Sequence, residues 1–171
     1  MITRKLMLLG DMGVGKTSLA RRLVFDAFDA TYKPTIGVDI YRFAVDVPRE
    51  AGGKETVELI IWDTDGDFGD SIFRHVYMQG ASAALIVADA TRRPTQDSAV
   101  RLAEGFDGAM PGRPFSVVIN KVDLLAAGQP LELPAGLRSP GLDVVRTSAL
   151  NGENVASAFA SIAAAVLRRG L

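Results

Sequence analysis

The sequence predicts an α/β domain on a mostly parallel central sheet of about six strands, with one antiparallel hairpin and helices on both faces. Three observations carry that expectation. Apolar runs at residues 5–9, 57–62, 83–87 and 115–119 are continuous rather than alternating, as in strands buried on both faces of a parallel sheet. Helical spacing at residues 16–25, 72–79, 95–108 and 153–169 fills the gaps, so strand and helix alternate. Residues 38–47 alternate apolar and polar like an edge strand and return through a turn at 48–53, which gives the hairpin.

The last helix places Val155, Phe159, Ile162, Ala163 and Val166 at helical spacing and ends on Arg168 and Arg169, cations suited to the negative end of its dipole. A short strand at 143–146 precedes it. Residues 128–141 hold Pro130, Pro134, Gly136, Pro140 and Gly141, so loop is expected there, with one helical turn around 135–138. No repeat, low-complexity tract or linker interrupts the chain, and residues 1–171 are expected to form one domain.

The composition narrows the chemistry. Hydrophobic residues make up 48% of the 171 and charged residues 23%, which is globular rather than disordered. A net charge of −1 gives no general attraction to nucleic acid or anionic lipid. There is no cysteine, which excludes disulfides, thiolate metal sites and thiol nucleophiles, and also prenyl and palmitoyl anchors. Ile2 excludes N-myristoylation, and the apolar run at 6–9 is too short for a signal peptide or a membrane span. A monomeric cytoplasmic protein without a direct lipid anchor is expected.

Gly10-Asp11-Met12-Gly13-Val14-Gly15-Lys16-Thr17 matches G-x-x-x-x-G-K-[ST] between a strand and a helix. Glycines there let successive N–H groups wrap a phosphate. Lys16 adds a point charge for the β- and γ-phosphates, and Thr17 offers a hydroxyl to Mg²⁺. The helix behind aims its positive end at the same anion. Alone, the motif says only nucleoside triphosphate. Trp62-Asp63-Thr64-Asp65-Gly66 closes a second strand; Asp63 suits Mg²⁺ held through a water, and Gly66 can bring its N–H to a γ-phosphate. An ordinary Asp-Gly turn is the competing reading of that piece. Asn120-Lys121-Val122-Asp123 ends another strand. A carboxylate at Asp123 can accept from N1–H and the 2-amino group of guanine, a pair that adenine lacks. Thr147-Ser148-Ala149, after the last strand, offers backbone N–H to the guanine O6.

With these motifs in this order, the chain resembles the Ras-like small GTPases, P-loop NTPases with a small G-domain, and among them the Rab branch. Tyr32-Lys33-Pro34-Thr35-Ile36-Gly37-Val38-Asp39 looks like the Rab first switch, and Tyr77, Gly80 and Ala81 fall where Rabs carry them. The resemblance implies that Thr35 joins Thr17 and Asp63 at Mg²⁺, that Phe28 packs on the guanine face, and that Ala149 touches O6. A core position for Phe28 and a simple turn role for Thr35 remain open. The nucleotide-binding set is then Gly13, Val14, Gly15, Lys16, Thr17, Ser18, Phe28, Thr35, Gly66, Asn120, Lys121, Asp123, Ser148, Ala149 and Leu150. Lys16, Thr35, Gly66 and Asp67 form the catalytic set. Effector and regulator proteins are expected to read residues 28–40 and 63–79.

The departures from the family cluster at the hydrolytic site. Where relatives carry Asp-Thr-Ala-Gly-Gln-Glu, this chain has Asp63-Thr64-Asp65-Gly66-Asp67-Phe68. Asp67 replaces the Gln that orients the attacking water, and it adds negative charge where negative charge builds. Helix capping is the other reading of Asp65 and Asp67. Met12 stands where the family has a small residue and crowds an incoming arginine finger. Leu150 replaces a Lys, which leaves the backbone contact intact. Two functions compete: a slow GTP hydrolase acting as a switch, and a GTP-binding adaptor that has lost hydrolysis. A nucleotide kinase or ATPase on the same loop is opposed by Asn120 and Asp123 and by the lack of an arginine-rich lid.

Overall fold

The sheet runs β2-β3-β1-β4-β5-β6, with one antiparallel pair, β2 with β3. In chain order its strands are β1 (Ile2–Leu9), β2 (Val38–Pro48), β3 (Lys54–Thr64), β4 (Ala83–Asp89), β5 (Phe115–Asn120) and β6 (Val144–Arg146). The computed structural model describes residues 1–64, 66 and 76–171. Three long helices accompany the strands: α1 (Lys16–Phe25), α2 (Arg93–Ala109) and α3 (Val155–Arg168).

Strand alternation sorts the core into two layers. Leu6, Leu8, Leu85, Val87 and Val118 face α1 and α3, where they meet Leu19, Phe159, Ile162 and Val166. Met7, Leu9, Ile86, Ala88, Val117 and Ile119 point the other way, onto Ala99, Ala103 and Phe106 of α2. Burial on both faces explains why these strands read as unbroken apolar runs. β1 extends three residues ahead of its apolar run because Ile2 to Leu8 pair with β3, whereas β4 takes only Leu6 to Leu9.

Several boundaries move for local reasons. α2 begins at Arg93, before the expected 95, because Pro94 sits in the first turn, where its missing N–H costs nothing. α3 begins at Val155 because Asn154 takes φ 57°, outside helical geometry. The segment 128–141 holds only a single 3-10 turn, Ala135–Leu137, as its prolines require. Of the helix expected at 72–79, residues 76–78 are helical, Gln79 stands in a turn, and 72–75 lie outside the described residues. The parallel strands β1, β3, β4 and β5 end along one edge of the sheet, the edge where such folds bind ligands.

Candidate functional site

The turn between β1 and α1 lies too close to its neighbours for side chains. A Cβ on Gly10 (φ 148°) would stand 2.3 Å from the Val87 carbonyl oxygen, and one on Gly15 (φ 104°) 2.3 Å from Asn120 Nδ2. Glycine is the only residue that allows both the positive φ and the close approach. Lys16, 6% exposed, curls over this loop and donates from Nζ to the Gly10 carbonyl at 2.8 Å and the Asp11 carbonyl at 3.0 Å. Its ammonium thus lies among the loop N–H groups and the amino end of α1, a combination that attracts phosphate.

Thr17 is the meeting point of three segments. Its Oγ1 lies 2.8 Å from Thr35 Oγ1 and donates to Asp63 Oδ2 at 2.5 Å. Asp63 is fully buried, and burial pushes its carboxyl up to about 6 although the Thr17 hydroxyl and the Lys16 ammonium pull the other way. Its Oδ1 is buried without a hydrogen-bond partner among the described residues. Two hydroxyls and a carboxylate with an unpaired oxygen suit a hard cation such as Mg²⁺, which takes oxygen ligands and keeps some of its own waters. No group of three or more His, Cys, Asp or Glu capable of holding a metal occurs among the described residues. Gly66 lies directly against this region: a Cβ there would stand 2.3 Å from the Met12 backbone nitrogen. Asp65 and Asp67 lie outside the described residues.

At the other end, Asn120 ties together three loops. Its Nδ2 donates to the Val14 carbonyl at 3.1 Å, and its Oδ1 accepts from Thr147 Oγ1 at 3.0 Å and from Ala149 N–H at 3.2 Å. Lys121, at φ 67°, donates from Nζ to the Gly13 carbonyl at 2.6 Å and pairs with Asp89 at 2.9 Å. Asp123 Oδ1 accepts from Ser148 Oγ at 2.7 Å.

These residues surround one cavity of about 400 Å³, ordinary for a small-molecule site. Gly13, Gly15, Lys16, Thr17, Ser18, Phe28, Thr35, Gly66, Asn120, Lys121, Asp123, Ala149 and Leu150 all line it. Val14, Asp63 and Ser148 sit behind its wall, the first as a core side chain. Phe28 lines the cavity and is 38% exposed, so the core reading of it does not hold. The Ala149 N–H is directed at Asn120, whereas the Leu150 N–H makes no hydrogen bond among the described residues.

Several residues of the site carried no motif. Asp89 ends β4 at the same sheet edge as Asp63 and Asn120, and an acid closing an apolar strand was the signal available. Burial works to raise its carboxyl, but hydrogen bonds from Lys121 and from the Thr91 hydroxyl and N–H outweigh that and hold it below the usual carboxylate range. Arg22 and Arg92 gave no signal. Arg92 donates to the Met12 carbonyl at 3.1 Å, and Arg22 to the carbonyls of Ala149 and Leu150 at 2.8 Å and 2.5 Å.

Comparison with known proteins agrees with this geometry. The model of the Ras family matches residues 5–168. The Ras-related protein RABA1a of Arabidopsis thaliana is 35% identical over 161 residues, 92% of this chain and 72% of that protein. The Ras-related protein RIC2 of Oryza sativa subsp. japonica is 36% identical over 167 residues, 96% and 75% of the two chains. The Ras-related protein Rab11D of Lotus japonicus is 34% identical over 167 residues, 96% and 74%. A family match over nearly the whole length, on a sheet that gathers the phosphate loop and the Asn120–Asp123 loop around one cavity, settles the family: the chain belongs to the Ras family of small GTPases and resembles its Rab members.

Proposed function

We propose that this GTP-binding switch takes GTP or GDP together with Mg²⁺, hydrolyses GTP slowly, and signals through residues 28–40 and 63–79. The observation that carries the reading is the meeting of Thr17, Thr35 and Asp63, with the unpaired Asp63 Oδ1 beside them. Thr35 belongs to the first of those segments and Asp63 opens the second, so a cation held by these residues would tie the two segments together. Bound there, Mg²⁺ neutralises charge on the terminal phosphates.

The chain's own residues do the remaining work. Lys16 and the loop N–H groups balance the phosphate charge and keep it fixed while the bond to the γ-phosphate breaks. Gly66 approaches the phosphate loop closely enough to present its N–H to the same group. Asp123 accepts from the guanine edge, with Phe28 beside the base, while Asn120 and Lys121 hold the surrounding loops. Ile36, 90% exposed, and Ile40, 56% exposed, give the first segment an apolar surface for a partner protein. Residues 1–171 then act as one monomeric cytoplasmic unit.

The test is GDP release with and without a chelator. Removing Mg²⁺ should speed release at least about tenfold in the wild type, and much less in Asp63→Ala. Release indifferent to chelation would overturn the Mg²⁺ reading. The adaptor reading keeps one specific support, Asp67 in place of the water-orienting Gln.

A further inference from the structure

We infer that Arg22 is the positioning residue for base recognition: it holds the Ala149–Leu150 peptide so that the Leu150 N–H is presented to the guanine O6. This rests on the guanine-nucleotide reading above and adds a residue to it.

Arg22 lies in the last turn of α1, the helix whose first turn carries Lys16 and Thr17, and its side chain is 17% exposed. The guanidinium is fixed on two sides. Nε donates to the Ala149 carbonyl at 2.8 Å and Nη2 to the Leu150 carbonyl at 2.5 Å. Nη1 donates to the Asp26 carbonyl at 3.2 Å and to Asp26 Oδ1 at 3.0 Å. This planar fork cannot follow two different loop positions equally well, so it selects one.

The selected peptide has a defined outward face. In a trans peptide the C=O and the following N–H point in opposite directions, and the described chain contains no cis bond. With the Ala149 carbonyl turned toward Arg22, the Leu150 N–H must point away from it. Ala149 and Leu150 line the cavity and Arg22 does not, so away from Arg22 is toward the bound base. The Leu150 N–H has no partner among the described residues, while the Ala149 N–H is committed to Asn120 Oδ1. The Ser148 hydroxyl, bonded to Asp123 at 2.7 Å, brings this loop beside the carboxylate that takes N1–H and the 2-amino group. O6 neighbours N1 on the ring and requires a donor at that place. A guanidinium bonded to the peptide oxygen also polarises the unit and strengthens its N–H as a donor.

The experiment compares the equilibrium binding of GDP and 6-thio-GDP to wild type, Arg22→Met and Arg22→Lys. Sulfur at position 6 accepts hydrogen bonds poorly, so wild type should prefer GDP. Arg22→Met keeps the apolar stem and removes every donor. It should weaken GDP about tenfold and 6-thio-GDP far less, so the preference collapses toward one. Arg22→Lys, reaching one carbonyl, should fall between, and it decides the matter if Arg22→Met does not fold. Equal weakening of both nucleotides, an unchanged GDP affinity, or no wild-type preference would each overturn the assignment. A wild type that binds no GDP would overturn the guanine-nucleotide reading together with this one. Tight wild-type GDP binding with an unchanged ratio in the variants would overturn the role of Arg22 alone.

Discussion

Lys121 Nζ stands 2.9 Å from Asp89 Oδ2 while it also donates to the Gly13 carbonyl at 2.6 Å, so one ammonium links the ends of β4 and β5 to the phosphate loop. Asp89 is buried and held below the usual carboxylate range. Its folded-state pKa is therefore below the unfolded value of about 3.9. The stability it contributes is present above about pH 4 and is lost as pH falls through the folded-state value. Asp89→Asn should lower stability at pH 7 by about 1–3 kcal/mol and flatten the acid side of the curve. Urea midpoints between pH 3 and about 7 check this. An acid limb as steep in Asp89→Asn as in wild type would assign the acid sensitivity to other groups.

The glycines of the phosphate loop predict a graded result. Gly10→Ala forces a Cβ to 2.3 Å from a backbone oxygen of β4, which cannot yield without moving the strand. It should cost about 2 kcal/mol or more in folding. Gly15→Ala meets the end of the Asn120 side chain instead, which can rotate. That movement breaks the bonds from Asn120 to Val14, Thr147 and Ala149. Its loss should therefore appear in nucleotide affinity as well as in folding, where a φ of 104° strains an alanine, read by titration beside the thermal midpoint.

Asp63 predicts a pH trend of opposite sign to Asp89. Burial raises its folded-state carboxyl to about 6, above its unfolded value. The metal-free protein should thus gain stability as pH falls through about 6 toward 4, because folding then takes up a proton. The same proton competes with a cation, so Mg²⁺ affinity should fall below about pH 6. Asp63→Asn should remove the trend, and saturating Mg²⁺ with GDP should suppress it in wild type. Thermal midpoints at pH 5 and about 7 for both proteins decide it. A metal-free wild type less stable at the lower pH than Asp63→Asn would reject this account.

Base selection follows from Asp123. GTP should outcompete ATP by roughly 10⁴-fold, since adenine presents no N1–H and 2-amino pair to the Asp123 carboxylate. Asp123→Asn should move the preference toward xanthine nucleotides, whose 2-oxo group accepts from the new amide. Comparable GTP and ATP affinities would remove Asp123 from the base site.

Much of this was legible because the motifs depend on local backbone. Gly10 to Thr17 specify their turn by sequence, and Asn120 to Asp123 follow a strand recognisable from its apolar run. Arg22 and Arg92 were not legible, because their roles come from the fold. Arg22 meets Ala149 and Leu150 across 127 and 128 residues of chain, and Arg92 meets Met12 across 80. No spacing rule spans such distances. The bond from the Ala149 N–H to Asn120 was not legible for the same reason, since 29 residues of chain separate the two.

Hydrolysis turns on Asp67. In the family a Gln there orients the water, with one acceptor and one donor; an ionised Asp accepts from the water but donates nothing to the γ-phosphate. In the position the family resemblance implies, it would also put an anion near oxygens that gain charge in the transition state. A penalty of about 1.4–2.7 kcal/mol corresponds to a rate lower by about ten- to a hundredfold. Asp67→Gln should therefore raise single-turnover GTP hydrolysis at pH 7. A second outcome has its own signature. If neighbouring phosphates keep Asp67 protonated, it can donate as the amide does; hydrolysis then speeds up as pH falls toward about 5, and Asp67→Gln changes little at that pH. Wild-type hydrolysis that Asp67→Gln slows at every pH would overturn the impaired-site account and make Asp67 an acceptor that positions the water.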